Sequence, residues 1–360
     1  MVEWLGWLGA SEWHPTPNHP TILTIQPFMT PKQSKPRTMS IGGATYDLFV
    51  RIPHEKIHGD EKSPFFTLPL GEKIRVTEVL ETCGGGASNT SVGLARLGCD
   101  ASISSVVGAD QWGDKLLQNF RKEGVDCKSL TIVEKETTSF SIILSGSGGE
   151  RVILYEPGTN EHLHDAIFDR AAAAEVDWMI LNHIQEQACV IEDDLIEILT
   201  KKEVKLTWNP GGSQIEGGIR EKNIRLLLSH TTLLVLNKEE ALKFTGSPNV
   251  QEALKQLLLC NVQYICITDG SRGTVATDGQ KLYRCPVDPS AKVIDTTGAG
   301  DAFTTGVTWA LLTGLTLPDA LIAGTINSGS VVGAIGAQAG LLTDIEMRAR
   351  MKSTSLSVSS

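Results

Sequence analysis

Lys292-Val-Ile-Asp295-Thr-Thr-Gly298-Ala-Gly300-Asp301-Ala-Phe303 is the stretch around which the 360-residue chain is organised. Its apolar opening predicts a short strand ending at Ile294, then a glycine-rich turn and a helix from about Ala299. Ala302, Phe303, Gly306, Val307, Ala310 and Leu311 recur at three-and-four spacing until a stop at Gly314. Gly298 and Gly300 let bare backbone approach a ligand. With Ala299 they offer the free N–H groups of a helix start, which favour an anion. Asp301 is discordant there. A carboxylate beside an anion cradle suits a base that receives a proton from an attacking hydroxyl. An ordinary strand–turn–helix junction would also place an acid at this point, because helix starts favour acids.

Working upstream, short apolar segments alternate with amphipathic ones. Trp178–Leu181, Val204–Trp208, Leu233–Leu236 and Tyr264–Thr268 read as strands separated by helices, the pattern of a parallel sheet covered on both faces. Ligands bind such sheets at the carboxyl ends of the strands. Each strand here ends in polar or glycine-rich residues, among them Asn182-His183, Asn209-Pro-Gly211, Asn237 and Asp269-Gly270. Asn237-Lys-Glu-Glu240 has the spacing of a helix capping box, which alone would explain both end residues. Thr268-Asp-Gly270-Ser-Arg-Gly273-Thr274 is a strand–turn–strand followed by a hairpin, Gly273–Thr277 with Leu282–Pro286. Pro318 and Asp319 open a further helix that carries Thr325 and Asn327.

The first half is richer in β signals. Ile41 runs into Gly42-Gly43, with Thr45 and Asp47 ahead of Leu-Phe-Val-Arg-Ile52, and Lys73–Glu81 alternates like a strand. Cys83-Gly84-Gly85-Gly86-Ala-Ser-Asn89 then opens a small-residue helix closing at Leu97-Gly98. Asn89 can both donate to and accept from a diol. Thr137–Ser145 and Glu150–Glu156 read as a hairpin across Gly146-Ser-Gly-Gly149. Residues 1–38 differ from all that follows, with three tryptophans and six prolines, and read as a poorly ordered leader with Met39 as an alternative start. Ser353–Ser360 reads as a flexible tail, leaving one domain over residues 39–352.

A formal net charge of −10 without a basic run argues against nucleic acid or an anionic membrane as partner. The seven cysteines are scattered, odd in number and free of a Cys-x-x-Cys pair, as in a reducing cytoplasmic setting. No run of 18 apolar residues exists, so no membrane helix is expected.

Together the Asp-Thr-x-Gly-Ala-Gly-Asp, Gly-Gly-x-x-x-Asn and Thr-x-Gly-x-x-Gly patterns resemble those of the ribokinase-like (PfkB) carbohydrate kinases. The resemblance runs from about Ser40 to Lys352. It implies an α/β three-layer sandwich around a mainly parallel sheet, with a small β-sheet lid from strands near 47–53, 73–82 and 137–156. It also implies transfer of the ATP γ-phosphoryl group to a sugar hydroxyl with Mg2+, a nucleoside acceptor or a non-catalytic binding regulator being the alternatives. In that family the last Asp of the motif, here Asp301, is the catalytic base beside Gly298, Ala299 and Gly300. Thr45, Asp47, Gly84, Gly85, Asn89 and Glu150 match positions that contact the acceptor. Asn237, Thr268, Gly270, Gly273, Thr325 and Asn327 match the ATP site. Glu240 matches a residue that organises magnesium through water, and Asp295 with Thr297 matches a monovalent-cation (K+) site completed by carbonyls of 331–340. A homodimer through the lid is left open by the same resemblance.

Overall fold

The computed structural model describes residues 34–59, 65–146, 151–163, 168–184 and 190–360, the side chain of Val190 excepted. Strand β1 (Arg37–Ile41) leads into β2 (Thr45–Arg51). A ribbon of β3 (Ile57–His58) and β4 (Phe65–Phe66) precedes β5 (Glu78–Gly84). Then come α1 (Gly86–Arg96), β6 (Asp100–Gly108), α2 (Gln111–Glu123), β7 (Leu130–Val133) and the hairpin β8 (Phe140–Ser145) with β9 (Arg151–Glu156). The second half alternates: α3 (Arg170–Ala173), β10 (Trp178–Leu181), α4 (Val190–Lys201), β11 (Lys205–Trp208), α5 (Gly212–Gly217), α6 (Lys222–Ser229), β12 (Leu233–Asn237), α7 (Lys238–Thr245), α8 (Val250–Leu258) and β13 (Tyr264–Thr268). It closes with the hairpin β14 (Thr274–Thr277) and β15 (Leu282–Cys285), then α9 (Ala299–Leu312), α10 (Leu317–Val331) and α11 (Asp344–Ser353).

The large sheet has nine strands in the order β15-β14-β13-β12-β11-β10-β1-β6-β7. It is parallel from β13 to β7, and β14 and β15 add an antiparallel edge. Its strands are apolar at successive positions because both faces are covered. Met179 and Leu181 pack with Leu195 of α4, Leu227 of α6 and Phe244 of α7. Their neighbours Trp178 and Ile180 face the other way, toward Phe303 of α9, Leu321 of α10 and Met347 of α11. This is the expected three-layer sandwich. A second, four-stranded sheet, β5-β2-β8-β9, forms the small lid. Among the described residues no helix is long and apolar enough to cross a membrane.

Several boundaries differ from the sequence expectation. Lys292–Ile294 is not a strand: Val293 and Ile294 are 69% and 58% exposed, and the Ile294 amide donates to the Val332 carbonyl at 2.7 Å. The antiparallel edge is already filled by β14 and β15, and Val293 lines a cavity instead. The strand expected over 73–81 begins only at Glu78. Its partner β2 stops at Arg51, two residues before Pro53, which has no N–H to extend a ladder. The fold starts before Met39, since Arg37 and Thr38 belong to β1 and Thr38 is 1% exposed. Residues 1–33 of the expected leader, like Glu150, lie outside the described residues. The tail is not free. Leu356 and Val358 pack on the second core, and Ser359 exchanges backbone hydrogen bonds with Arg284 at 2.9 and 3.1 Å, which caps the exposed edge of β15.

Candidate active site

Two helix starts meet at the carboxyl ends of the central strands. Gly298, at φ +74°, makes the turn into α9, and a side chain there would meet Ala337 Cβ at 2.4 Å. Helix α1 packs across α9 closely enough that a Cβ on Gly93 would lie 2.7 Å from Thr305 Cγ2. One turn earlier on each helix stand Asn89 and Asp301, and the same approach brings them together. Asn89 Nδ2 donates to Asp301 Oδ2 at 2.8 Å, across 212 residues of sequence. Gln338 Nε2 in turn donates to Asn89 Oδ1 at 3.2 Å and Ser88 Oγ at 2.9 Å, which fixes which end of the Asn89 amide faces the carboxylate. Burial pushes the Asp301 carboxyl up to about 6. The Asn89 bond pulls it down, and the negative charge of Glu240 adds to the rise. An acid so placed changes protonation close to neutral pH.

Asp47 sits on β2 opposite Ser141 of β8, and is 6% exposed. Burial lifts it to about 6 as well, opposed by a hydrogen bond from Ser141 and assisted by the charge of Asp295. Glycine at position 84 is a steric requirement of that acid, because a Cβ there would fall 2.0 Å from Asp47 Oδ2. Gly85 caps α1 at φ +90°, where a Cβ would meet the Gly43 carbonyl oxygen at 2.5 Å. Thr45 shares a hydrogen bond with Ser139 (3.1 Å) and accepts one from Asn160 Nδ2 (3.3 Å). Asn160 Oδ1 and Asn182 Oδ1, which flank Gly42–Gly43 and Gly86, are buried without a hydrogen-bond partner among the described residues.

On the other side of Asp301 lies a cavity of about 430 Å³. Thr268, Gly270, Gly273, Ala299, Gly300 and Thr325 all line it, as the motifs imply. This volume falls in the range of small-molecule sites. A side chain on Gly300 would meet nothing within 4 Å, so the first turn of α9 is open to a ligand. Asn237 pairs with Thr268 across the ladder, beside this cavity. Its side chain caps α7, accepting from the Glu240 amide at 2.9 Å while Glu240 Oε2 accepts from the Asn237 amide at 2.8 Å. The capping box is therefore formed, and burial holds the Glu240 carboxyl above its usual range. Asn327 does not belong to the cavity. It is fully buried, donates to the Ala302 carbonyl at 2.8 Å and accepts from the Leu342 amide at 3.2 Å, so it ties α10 to α9.

Asp295 and Thr297 are brought together, with Thr297 Oγ1 donating to Asp295 Oδ1 at 2.8 Å. Sequence reasoning missed a third member, Arg151 of the lid, whose Nη1 lies 3.0 Å from Asp295 Oδ1 and 3.3 Å from Thr297 Oγ1. It missed Gln338 too, whose side chain, not its carbonyl, reaches Asn89. Neither residue has a local pattern that would have marked it. Among the described residues no cluster of three or more His, Cys, Asp or Glu could hold a metal ion. Glu240 is a single carboxylate engaged in the α7 capping box, which fits contact with a hydrated ion through water rather than a direct ligand set.

The family model described as pfkB family carbohydrate kinase matches residues 57–344. The chain belongs to this family. Among relatives of this pfkB kinase, a ribokinase of Haemophilus influenzae is 28% identical over 288 residues, covering 78% of this chain and 90% of its own. An uncharacterized sugar kinase of Archaeoglobus fulgidus is 26% identical over 261 residues, 71% of this chain and 100% of its own. Arabidopsis thaliana ribokinase, solved with ribose and ATP, matches with a TM-score of 0.75 at 21% identity, over 89% of this chain and 100% of that one. A Burkholderia thailandensis nucleoside kinase, solved with inosine, matches at 0.70 and 20% identity, over 88% and 97%. These structural likenesses establish the ribokinase fold. Family membership makes the pfkB chain a phosphotransferase of the carbohydrate-kinase type.

Proposed function

We propose that this kinase transfers the γ-phosphoryl group of ATP to a hydroxyl of a sugar or sugar derivative. The observation that carries the reading is the Asn89–Asp301 bond, which joins the acceptor motif to the phosphate-cradle motif at one carboxylate. Asn89 holds Oδ2, leaving Oδ1 to take the proton as the acceptor oxygen bonds to the γ-phosphorus and the bond to the ADP oxygen breaks. The N–H groups of Gly298 and Gly300 meet the charge that builds on the phosphoryl oxygens, while that of Ala299 donates to the Thr296 carbonyl at 3.3 Å. Asp47 and Asn89 orient acceptor hydroxyls, with Thr45, Gly84 and Gly85 shaping that wall, and the unpartnered Asn160 and Asn182 oxygens offer further acceptors for them. The nucleotide lies in the cavity between Thr268 and Thr325. Magnesium would enter with the triphosphate and neutralise part of its charge, its water shell held by Glu240.

Tyr46, Trp112 and Phe140 form a stack with centroid spacings of 5.0 and 6.3 Å. Tyr46 and Phe140 precede Asp47 and Ser141 on paired strands and so point to the opposite face. Tyr155 of β9, however, pairs with Ser141 and so shares the face of Asp47 with its ring exposed, which keeps a nucleoside acceptor as the second reading. Val79 of β5 and Val152, Ile153 and Leu154 of β9 are exposed, which supports a homodimer through the lid.

An ADP-release screen over sugars, sugar phosphates and nucleosides tests the reading. ADP formation that depends on a sugar or sugar phosphate supports it. Turnover with nucleosides alone transfers it to the other acceptor class, and none with any acceptor removes the catalytic assignment.

A further inference from the structure

The Asp295–Thr297 pair does not fit a monovalent cation in this chain. Such an ion needs the carboxylate as an oxygen ligand, and Oδ1 of this carboxylate, the oxygen beside Thr297, is already filled by donors. Asp295 Oδ1 accepts from the Thr297 amide at 3.0 Å, from its hydroxyl at 2.8 Å and from Arg151 Nη1 at 3.0 Å; Oδ2 accepts from the Gly336 amide at 3.0 Å. The Asp295 side chain is 10% exposed but that of Arg151 is 37% exposed, so the pair is shielded from solvent on its acidic side only. An added cation would meet the like charge of the guanidinium at contact distance.

We propose that Arg151 stands in place of the monovalent cation, as a positioning residue that makes this kinase indifferent to potassium. Its guanidinium neutralises a carboxylate that would otherwise face the buried charge of Asp47, whose ionisation Asp295 already opposes. It also fastens β9 of the lid to the residues that precede the anion cradle. Thr297 directly precedes Gly298 in the chain, and Gly336 belongs to the loop whose Ala337 packs under Gly298 and whose Gln338 orients Asn89. One lid side chain thus braces both the cradle and the base, without touching substrate. An ion would supply the charge alone. Arginine adds a covalent link to the lid, so cradle order and lid closure become one event.

The test reads stability and Mg-ATP binding of the full chain, and so stands apart from the acceptor assignment on which the kinase reading rests. Melting temperature and ATP Kd are measured in potassium, sodium and tetramethylammonium chloride at equal ionic strength. Wild type is expected to give the same values in all three. Arg151→Gln is expected to bind ATP roughly 10-fold more weakly in tetramethylammonium, the loss of one charge-assisted bond, and to recover saturably with potassium. Arg151→Lys, which keeps the charge, is expected to remain indifferent. Saturable stabilisation of the wild type by potassium overturns the proposal whichever variants fold. So does an Arg151→Gln protein that loses ATP affinity but ignores potassium.

Discussion

The two ends of the cleft are built from different materials. Around Asp47, Asn89 and Asp301 the surface is made of side chains, cross-linked by hydrogen bonds and buried enough to lift two carboxyls to about 6. Between Thr268 and Thr325 it is made largely of glycine backbone and apolar walls around 430 Å³ of space. The first end holds its groups in a costly electrostatic state, which fits a place where protons move. The second is permissive, which fits a place where a large ligand is only held. The contrast can be broken by substitutions at either end.

The largest effect is expected at Asp301. Asp301→Asn keeps the shape and the contact with Asn89 but cannot take a proton, so kcat should fall by ~10²–10⁴-fold while ATP affinity changes little. If a folded variant also loses ATP affinity in proportion, the two ends are not separable. Gly300→Val is next. It adds bulk where the structure leaves space, so melting temperature should hold while kcat/KM for ATP drops by roughly 10–100-fold. Unchanged kinetics would place the nucleotide elsewhere.

Asp47→Asn should separate function from stability. Above about pH 6 burial makes the ionised carboxylate a liability, so the asparagine variant should be more stable at pH 7 by ~1–3 kcal/mol. As pH falls from about 6 toward about 4, folded wild type takes up its proton first and the difference should close. Denaturant titrations at the two pH values check this, and acceptor KM should rise at the same time. The smallest effect is expected far from both ends. Deleting residues 354–360 uncovers β15 and the Leu356–Val358 contact, and should cost ~1–2 kcal/mol with no change in kcat.

The motif reading reached both ends because each has a local signature: glycines at fixed spacing, then a polar residue at a helix start. The bond between them was not legible, since Asn89 and Asp301 are neighbours only through the α1–α9 crossing that Gly93 permits. Arg151 and Gln338 were missed for the same reason. Val293 and Ile294 misled because a short apolar run has the same period whether it enters a sheet or lines a cavity. Asn327 lies on α10, which is buried at Leu321, Ala323, Gly324 and Ile326 around the helix. A polar residue in such a helix serves packing more readily than ligand binding. The Ser-rich tail was read by composition, which missed the two apolar residues that anchor it.

The pH dependence of kcat at saturating ATP and acceptor tests the central claim most directly. With Asp301 as the base, kcat should be level above neutrality and lose about tenfold per unit below an apparent pKa of about 6. That limb should vanish from the residual activity of Asp301→Asn. A wild-type kcat that stays level well below pH 6, or a limb that survives the substitution, would contradict Asp301 as the group that takes the proton.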